Sequence, residues 1–218
     1  MFNSNRSGHW DLFVKPADGL TEEQPLLVNE QEKSSLDWSP DGRVILYGVQ
    51  DVKTRADLWA LPTDDGKPFP IAQTSFDELH GRFSPDGRWL AYVSNETGRY
   101  QVYVRFPEPG EKVQVSTGGG MFPRWRHDGR ELFYLGLDGR VAAVPLQAGF
   151  DARSMRPGTA MTLFRDPRLA IAGNIGISNS LSRAPYAVTA DGRFLLDVTV
   201  EAALPITVVL NWTAALKK

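Results

Sequence analysis

The chain has 218 residues, 24 of them basic and 26 acidic, for a formal net charge of −2, and 42% are hydrophobic. That length suits one all-β domain with a packed core, and the near-neutral, interspersed charge excludes nucleic-acid binding through a broad basic surface, which needs clustered Lys and Arg. Cysteine is absent, which excludes disulfides, thiolate nucleophiles and thiolate-ligated metals, and apolar runs such as Val141 to Leu146 are strand-sized, far below the roughly 18 residues of a membrane span.

The opening Met1 to Trp10 is polar and lacks the apolar core of a signal peptide. Trp10 to Val14 reads as a strand and Pro25 to Asn29 as a weaker one. Next, Leu36-Asp37-Trp38-Ser39-Pro40-Asp41-Gly42-Arg43 sets an Asp-Gly between two apolar runs. This is the local signal of a hairpin, predicted here as a type I′ turn with positive φ at both central residues. Val44 to Tyr47 forms the second arm, Ala56 to Leu61 a third strand and Phe69 to Ala72 a fourth. The order then recurs. Gly81 to Arg88 leads into Trp89 to Val93, Tyr100 to Arg105 and Lys112 to Val115; Pro123 to Arg130 leads into Glu131 to Leu135, Arg140 to Pro145 and Met161 to Phe164; Tyr186 to Arg193 leads into Phe194 to Val198.

Asp41, Asp86, Asp128 and Asp191 stand 45, 42 and 63 residues apart, so the last interval holds an insertion, placed between Gln147 and Ser182. Ser4 to Val14 superposes without a gap on Ser94 to Val104, two units further on, which makes Met1 to Ser4 the tail of a second strand. A repeat of this length with four short strands predicts an all-β fold, a β-propeller of four-stranded antiparallel blades. About five complete or partial blades are expected in an open or truncated ring within one domain. They are a partial blade over 1–30, blades over about 31–73, 74–117 and 118–165, and a final partial blade with the insertion over 166–218.

The aromatic-Ser-Pro-Asp-Gly-Arg turn followed by a strand such as Leu90-Ala91-Tyr92-Val93-Ser94 resembles the TolB-like, or PD40, propeller repeat. The match is best at Trp38 to Tyr47 and Phe83 to Ser94. It weakens at Trp125 to Tyr134, where Arg126-His127 replace Ser-Pro, and again at Val188 to Leu196. Ile206 to Thr213 is similar to the last strand of propellers that close large bacterial sensor or serine/threonine-kinase proteins. The resemblance implies a bacterial, periplasmic or otherwise extracytoplasmic protein and a non-catalytic interaction or ligand-sensing module, part of a larger sensor or kinase-type protein. Complete members have six or seven blades, so the chain is expected to be a fragment that forms homo-oligomers through its open blade edges.

Ligands of such propellers sit at the central channel, lined by the first strand of each blade. With Trp38, Phe83, Trp125 and Val188 packed between blades, alternation turns Asp37, Arg82, Arg124 and Ala187 to the other face, with Ser35, His80, Phe122 and Pro185 two residues before them. Ser35, Asp37, His80, Arg82 and Arg124 are therefore the candidate cluster for a small ligand or a protein partner at the channel mouth. His9, His80 and His127 fall in three different units without ligand spacing, so no metal and no cofactor are expected. The alternative is a hydrolase, either the propeller portion of a serine peptidase or an esterase-like site of its own. Gly176-Ile177-Ser178-Asn179-Ser180 lacks the second Gly of a nucleophile elbow. An esterase would instead need Ser178, Ser180 or Ser182, on the long connection, to meet His80 or His127.

Overall fold

A computed structural model describes residues 1–64, 66–105, 112–149, 154–170 and 184–198, together with the backbone of 208–209. Five antiparallel sheets follow one another along the chain. The first holds β1 (Phe2–Ser4), β2 (Asp11–Val14) and β3 (Gln24–Leu27). The second runs β4 (Glu32–Trp38), β5 (Val44–Asp51), β6 (Arg55–Pro62) and β7 (Phe69–Ala72). The third repeats that order with β8 (Glu78–Phe83), β9 (Leu90–Ser94), β10 (Gln101–Arg105) and β11 (Lys112–Gln114). In the fourth, β12 (Met121–Trp125), β13 (Glu131–Leu135) and β14 (Arg140–Ala148) are joined by β15 (Met155–Pro157) and β16 (Met161–Arg165), both pairing β14. The fifth has β17 (Tyr186–Val188), β18 (Phe194–Leu196) and β19 (Val208–Val209). This is the all-β propeller arrangement, and among the described residues the sheets do not close into a ring.

The offset seen in the sequence is also a register. Ser4 opposes Asp11 across β1 and β2 as Ser94 opposes Gln101 across β9 and β10, so β1 occupies a second-strand position. Part of the expected insertion is strand: β14 runs past Pro145 to Ala148 and pairs with β15, while β16 takes the fourth-strand place.

Strand alternation explains the core. Along β5, Ile45, Tyr47 and Val49 point towards Leu12 of the first sheet, whereas Leu46 points the other way, towards Leu90, Tyr92 and Tyr103 of the third. In β9 the remaining apolar residues, Ala91 and Val93, join Phe133, Val144 and Phe194 in the cluster shared by the last three sheets. Both faces of β5 and β9 are thus largely buried, which is why β9 is apolar almost throughout. The sheets approach closely. A Cβ at Gly81 would lie 2.5 Å from Leu46 Cδ2, so Gly81→Ala is expected to cost about 1–3 kcal/mol by overpacking; urea denaturation measures it.

The Asp-Gly-Arg turns differ from the predicted type I′. Gly42, Gly87, Gly129 and Gly192 have φ of 75°, 71°, 71° and 82°, but none of the preceding aspartates has positive φ. In the second sheet the Gly42 N–H donates to Ser39 O at 2.8 Å, and Asp41 Oδ1 accepts from Ser39 Oγ at 2.6 Å and from Arg43 N at 3.1 Å. Ser39 Oγ in turn accepts from Val44 N at 2.9 Å. The turn is therefore an ordinary one closed by a left-handed Gly, with a Ser-Asp bracket holding its backbone, and Ser84 and Asp86 repeat it.

A second repeated device escaped the sequence reading. Asp11 and Gln101 start β2 and β10, Asp57 is the third residue of β6, and all three are buried. Each gathers the connection towards the next sheet: Asp11 takes Asn29 N and Lys33 Nζ, Asp57 takes Gln73 Nε2, and Gln101 takes Gly119 N and Ser116 Oγ.

Candidate functional site at the channel mouth

The first strands of four sheets, β4, β8, β12 and β17, converge with their turns on one cavity of about 330 Å³. Three of these strands carry an irregularity just before the cavity. The register slips between Ser35 and Asp37, between Leu79 and Arg82 and between Met121 and Arg124. Within the last two slips, His80 and Phe122 adopt φ of 55° and 53°, a conformation costly for residues with a Cβ. A bulge of this kind re-aims the side chains that follow it. The residues that follow are Asp37, Arg82 and Arg124, and all three line the cavity.

Their contacts join neighbouring sheets. Asp37 Oδ2 accepts from Phe83 N at 2.8 Å, and Asp37 Oδ1 lies 3.6 Å from Arg82 Nη1. Arg82 Nη1 also donates to Leu36 O, while its buried Nε has no hydrogen-bond partner. Arg124 Nη1 donates to Pro123 O at 2.9 Å, and no carboxylate among the described residues pairs with Arg124. Burial, reinforced by the Arg82 charge, lowers the Arg124 pKa to about 10. Burial lowers that of Arg82 too, opposed by Asp37.

Ser35 and His80 lie elsewhere. The Ser35 hydroxyl and N–H both donate to Asn3 Oδ1, at 2.7 and 2.8 Å, tying β4 to the first sheet. The His80 ring is buried and stacks on Phe122, with centroids 4.1 Å apart. Trp38, Phe83, Trp125 and Val188, expected between blades, all border the cavity, and Phe83, Trp125 and Val188 also pack against the clusters shared by neighbouring sheets. Each ends its strand next to the turn. Trp125 Nε1 still crosses to Arg82 O at 3.0 Å, but Trp38 is 40% exposed and donates to Gly42 O in its own turn.

Ser178, Ser180 and Ser182 lie outside the described residues. Ser84, near His127 at the cavity rim, is held by its turn, donating to Asp86 Oδ1 at 2.5 Å and accepting from Trp89 N at 2.9 Å. Among the described residues, no three His, Asp or Glu side chains converge as a metal ion would require.

No family model matches the chain. It is 29% identical over 185 residues to "Uncharacterized protein Atu1656" of Agrobacterium fabrum, covering 80% of this chain and 58% of that protein. It is 30% identical over 103 residues to "Uncharacterized peptidase YuxL" of Bacillus subtilis, covering 44% of this chain and 16% of the relative. The crystal structure of TolB from Acinetobacter baumannii superposes with a TM-score of 0.60 at 18% identity, over 91% of this chain and 45% of the other. The chain thus spans little more than half of the first relative's length.

Proposed function

We propose that the chain, which has the fold of TolB-like β-propellers, is a non-catalytic interaction or ligand-sensing module that engages a small ligand or a protein partner at its channel mouth. The observation that carries this reading is the convergence of Asp37, Arg82 and Arg124 from three sheets on one cavity walled by Trp38, Phe83 and Trp125. A rigid scaffold holding a few polar groups among aromatic ones has the character of a recognition site. The described serine nearest that cavity is fully committed to its turn, which speaks for recognition rather than hydrolysis.

The second reading is the propeller portion of a hydrolase, favoured by the peptidase relative. Purified protein given a short-chain p-nitrophenyl ester separates the binding reading from the other form of the alternative, an esterase-like site in this chain itself. Background turnover, unchanged by a serine-reactive phosphonate, is the expected result; saturable, phosphonate-sensitive turnover would replace the binding reading with the hydrolase one.

From the resemblance we further propose that the module lies outside the cytoplasm and belongs to a larger bacterial sensor-type protein. Among the described residues no helix is long and apolar enough to cross a membrane. One edge of β1 has no paired strand among the described residues, and such an edge invites strand addition from a second copy. Light scattering of concentrated protein is expected to show a multimer, and a strictly monomeric species counts against assembly through that edge.

A further inference from the structure

The channel mouth carries more positive than negative charge. Arg82 and Arg124 reach it from neighbouring sheets, and the carboxylate among its lining residues is Asp37. That carboxylate is already engaged, with Phe83 N at 2.8 Å and Arg82 Nη1 at 3.6 Å. Arg124 has no carboxylate partner among the described residues and gives its one recorded hydrogen bond to a backbone oxygen.

From this imbalance we infer that the mouth is a carboxylate-binding site, in which Arg124, backed by Arg82, receives one carboxylate while Trp38, Phe83 and Trp125 cover the apolar body that bears it. The inference rests on the channel-mouth reading and names the ligand chemistry of that same cavity. A guanidinium offers a planar fork of donors that fits a carboxylate with two parallel hydrogen bonds. Two arginines against one aspartate leave a single positive charge, which matches a monoanion, and Asp37 opposes a dianion such as sulfate. The burial that makes Arg124 a poorer base also strengthens its attraction for an anion. The volume, about 330 Å³, lies at the low end of the roughly 300–1,000 Å³ of ligand sites, so a small acid or one acidic side chain fills it.

Trp38 and Trp125 supply the readout. Intrinsic fluorescence of the full chain, excited at the red edge, is titrated at constant ionic strength and pH 7.5 with 3-phenylpropionate, its uncharged amide, sodium sulfate and the peptide acetyl-Gly-Glu-Gly-amide. The acid is expected to saturate the signal, with the amide and sulfate weaker by about tenfold or more. Arg124→Gln is expected to lose a similar factor, Arg124→Lys to lose part of it, and Arg43→Gln, on an exposed turn, to lose nothing. Thermal unfolding of each variant checks that it folds, and Arg124→Lys, which keeps the charge, serves where Arg124→Gln does not. Tighter binding of the Glu peptide than of the free acid assigns the carboxylate to a protein partner; the reverse order assigns it to a small molecule. Equal binding of acid and amide, unchanged in Arg124→Gln, overturns the carboxylate inference and leaves the channel-mouth reading standing. No response to either overturns the inference and leaves the mouth without an occupant.

Discussion

Lys33→Met is expected to destabilise the protein by about 3–5 kcal/mol, the usual cost of removing one partner of a buried ion pair. Lys33 on β4 and Asp11 on β2 belong to adjacent sheets, and their side chains are 0% and 1% exposed, with Nζ 2.8 Å from Oδ1. The ammonium also donates to Gln31 O at 2.6 Å and Asn29 O at 3.4 Å, so all three donors have acceptors. Burial alone would raise the Asp11 pKa, but the hydrogen bond and charge of Lys33 and the N–H of Asn29 outweigh it and hold the carboxyl below its ordinary range. Without Lys33 the carboxylate stays buried and unpaired. Its pKa then rises, because burial acts on it without the hydrogen bond and charge of Lys33, and the stability that its ionised form contributes at neutral pH is lost. Chemical denaturation measures the loss. The double variant Asp11→Leu/Lys33→Met is expected to recover most of it, because an apolar pair leaves no charge without a partner. A cost below about 1 kcal/mol for Lys33→Met, as for exposed pairs, would mean that the first two sheets are not joined here.

Glu78→Gln is expected to act in the opposite direction, and only above mildly acidic pH. Glu78 starts β8 and is 2% exposed. Burial pushes its pKa up to about 7; hydrogen bonds from Thr74 Oγ1 at 2.6 Å and Thr74 N at 3.3 Å moderate the rise, and the charges of Asp57 and Glu96 add to it. The folded state therefore holds this proton more tightly than the unfolded chain. The resulting stability is fully present below the unfolded carboxyl pKa of 4.5, declines as pH rises, and is gone above about 7. At roughly 1.4 kcal/mol per pH unit, the decline amounts to about 3 kcal/mol at most. Glutamine keeps an oxygen for Thr74 without the charge. The variant should match the wild type near pH 4.5, exceed it by about 2–3 kcal/mol at pH 8, and show a flatter profile between. Parallel profiles for the two proteins would show that Glu78 ionises without cost.

Much of the fold is written in spacing. The Asp-Gly-Arg turns mark the hairpins, and the gapless match of Ser4 to Val14 with Ser94 to Val104 reappears as equivalent strand pairing. Alternation also brings Asp37, Arg82 and Arg124 to one cavity, because each follows its bulge directly. The same bulges hide the positions of Ser35 and His80. An extra residue breaks the two-residue count, so stepping back from Arg82 to His80 no longer stays on one face. A bulge depends on how two strands pair, and nothing local in Leu79-His80-Gly81-Arg82 announces it. The turn type was obscure for a related reason, since the Ser-Asp bracket lets Gly alone take the left-handed conformation. Trp38 illustrates the limit of repeat logic: it matches Trp125 in sequence, but Trp125 finds Arg82 O on the preceding sheet and Trp38 turns to Gly42. The buried Asp11, Asp57 and Gln101 were visible as equivalent positions, and their role emerges only once the connections they hold are in place.

The claim that the channel mouth is the binding surface is tested most directly by the indole N–H resonances of the six tryptophans, assigned by single substitutions and followed during titration with a fragment set rich in small carboxylic acids. Compounds that bind are predicted to shift Trp38 and Trp125, which line the cavity, and to leave Trp10 and Trp59 in place. Shifts at Trp10 or Trp59 with Trp38 and Trp125 unmoved would put the binding surface elsewhere and contradict the account.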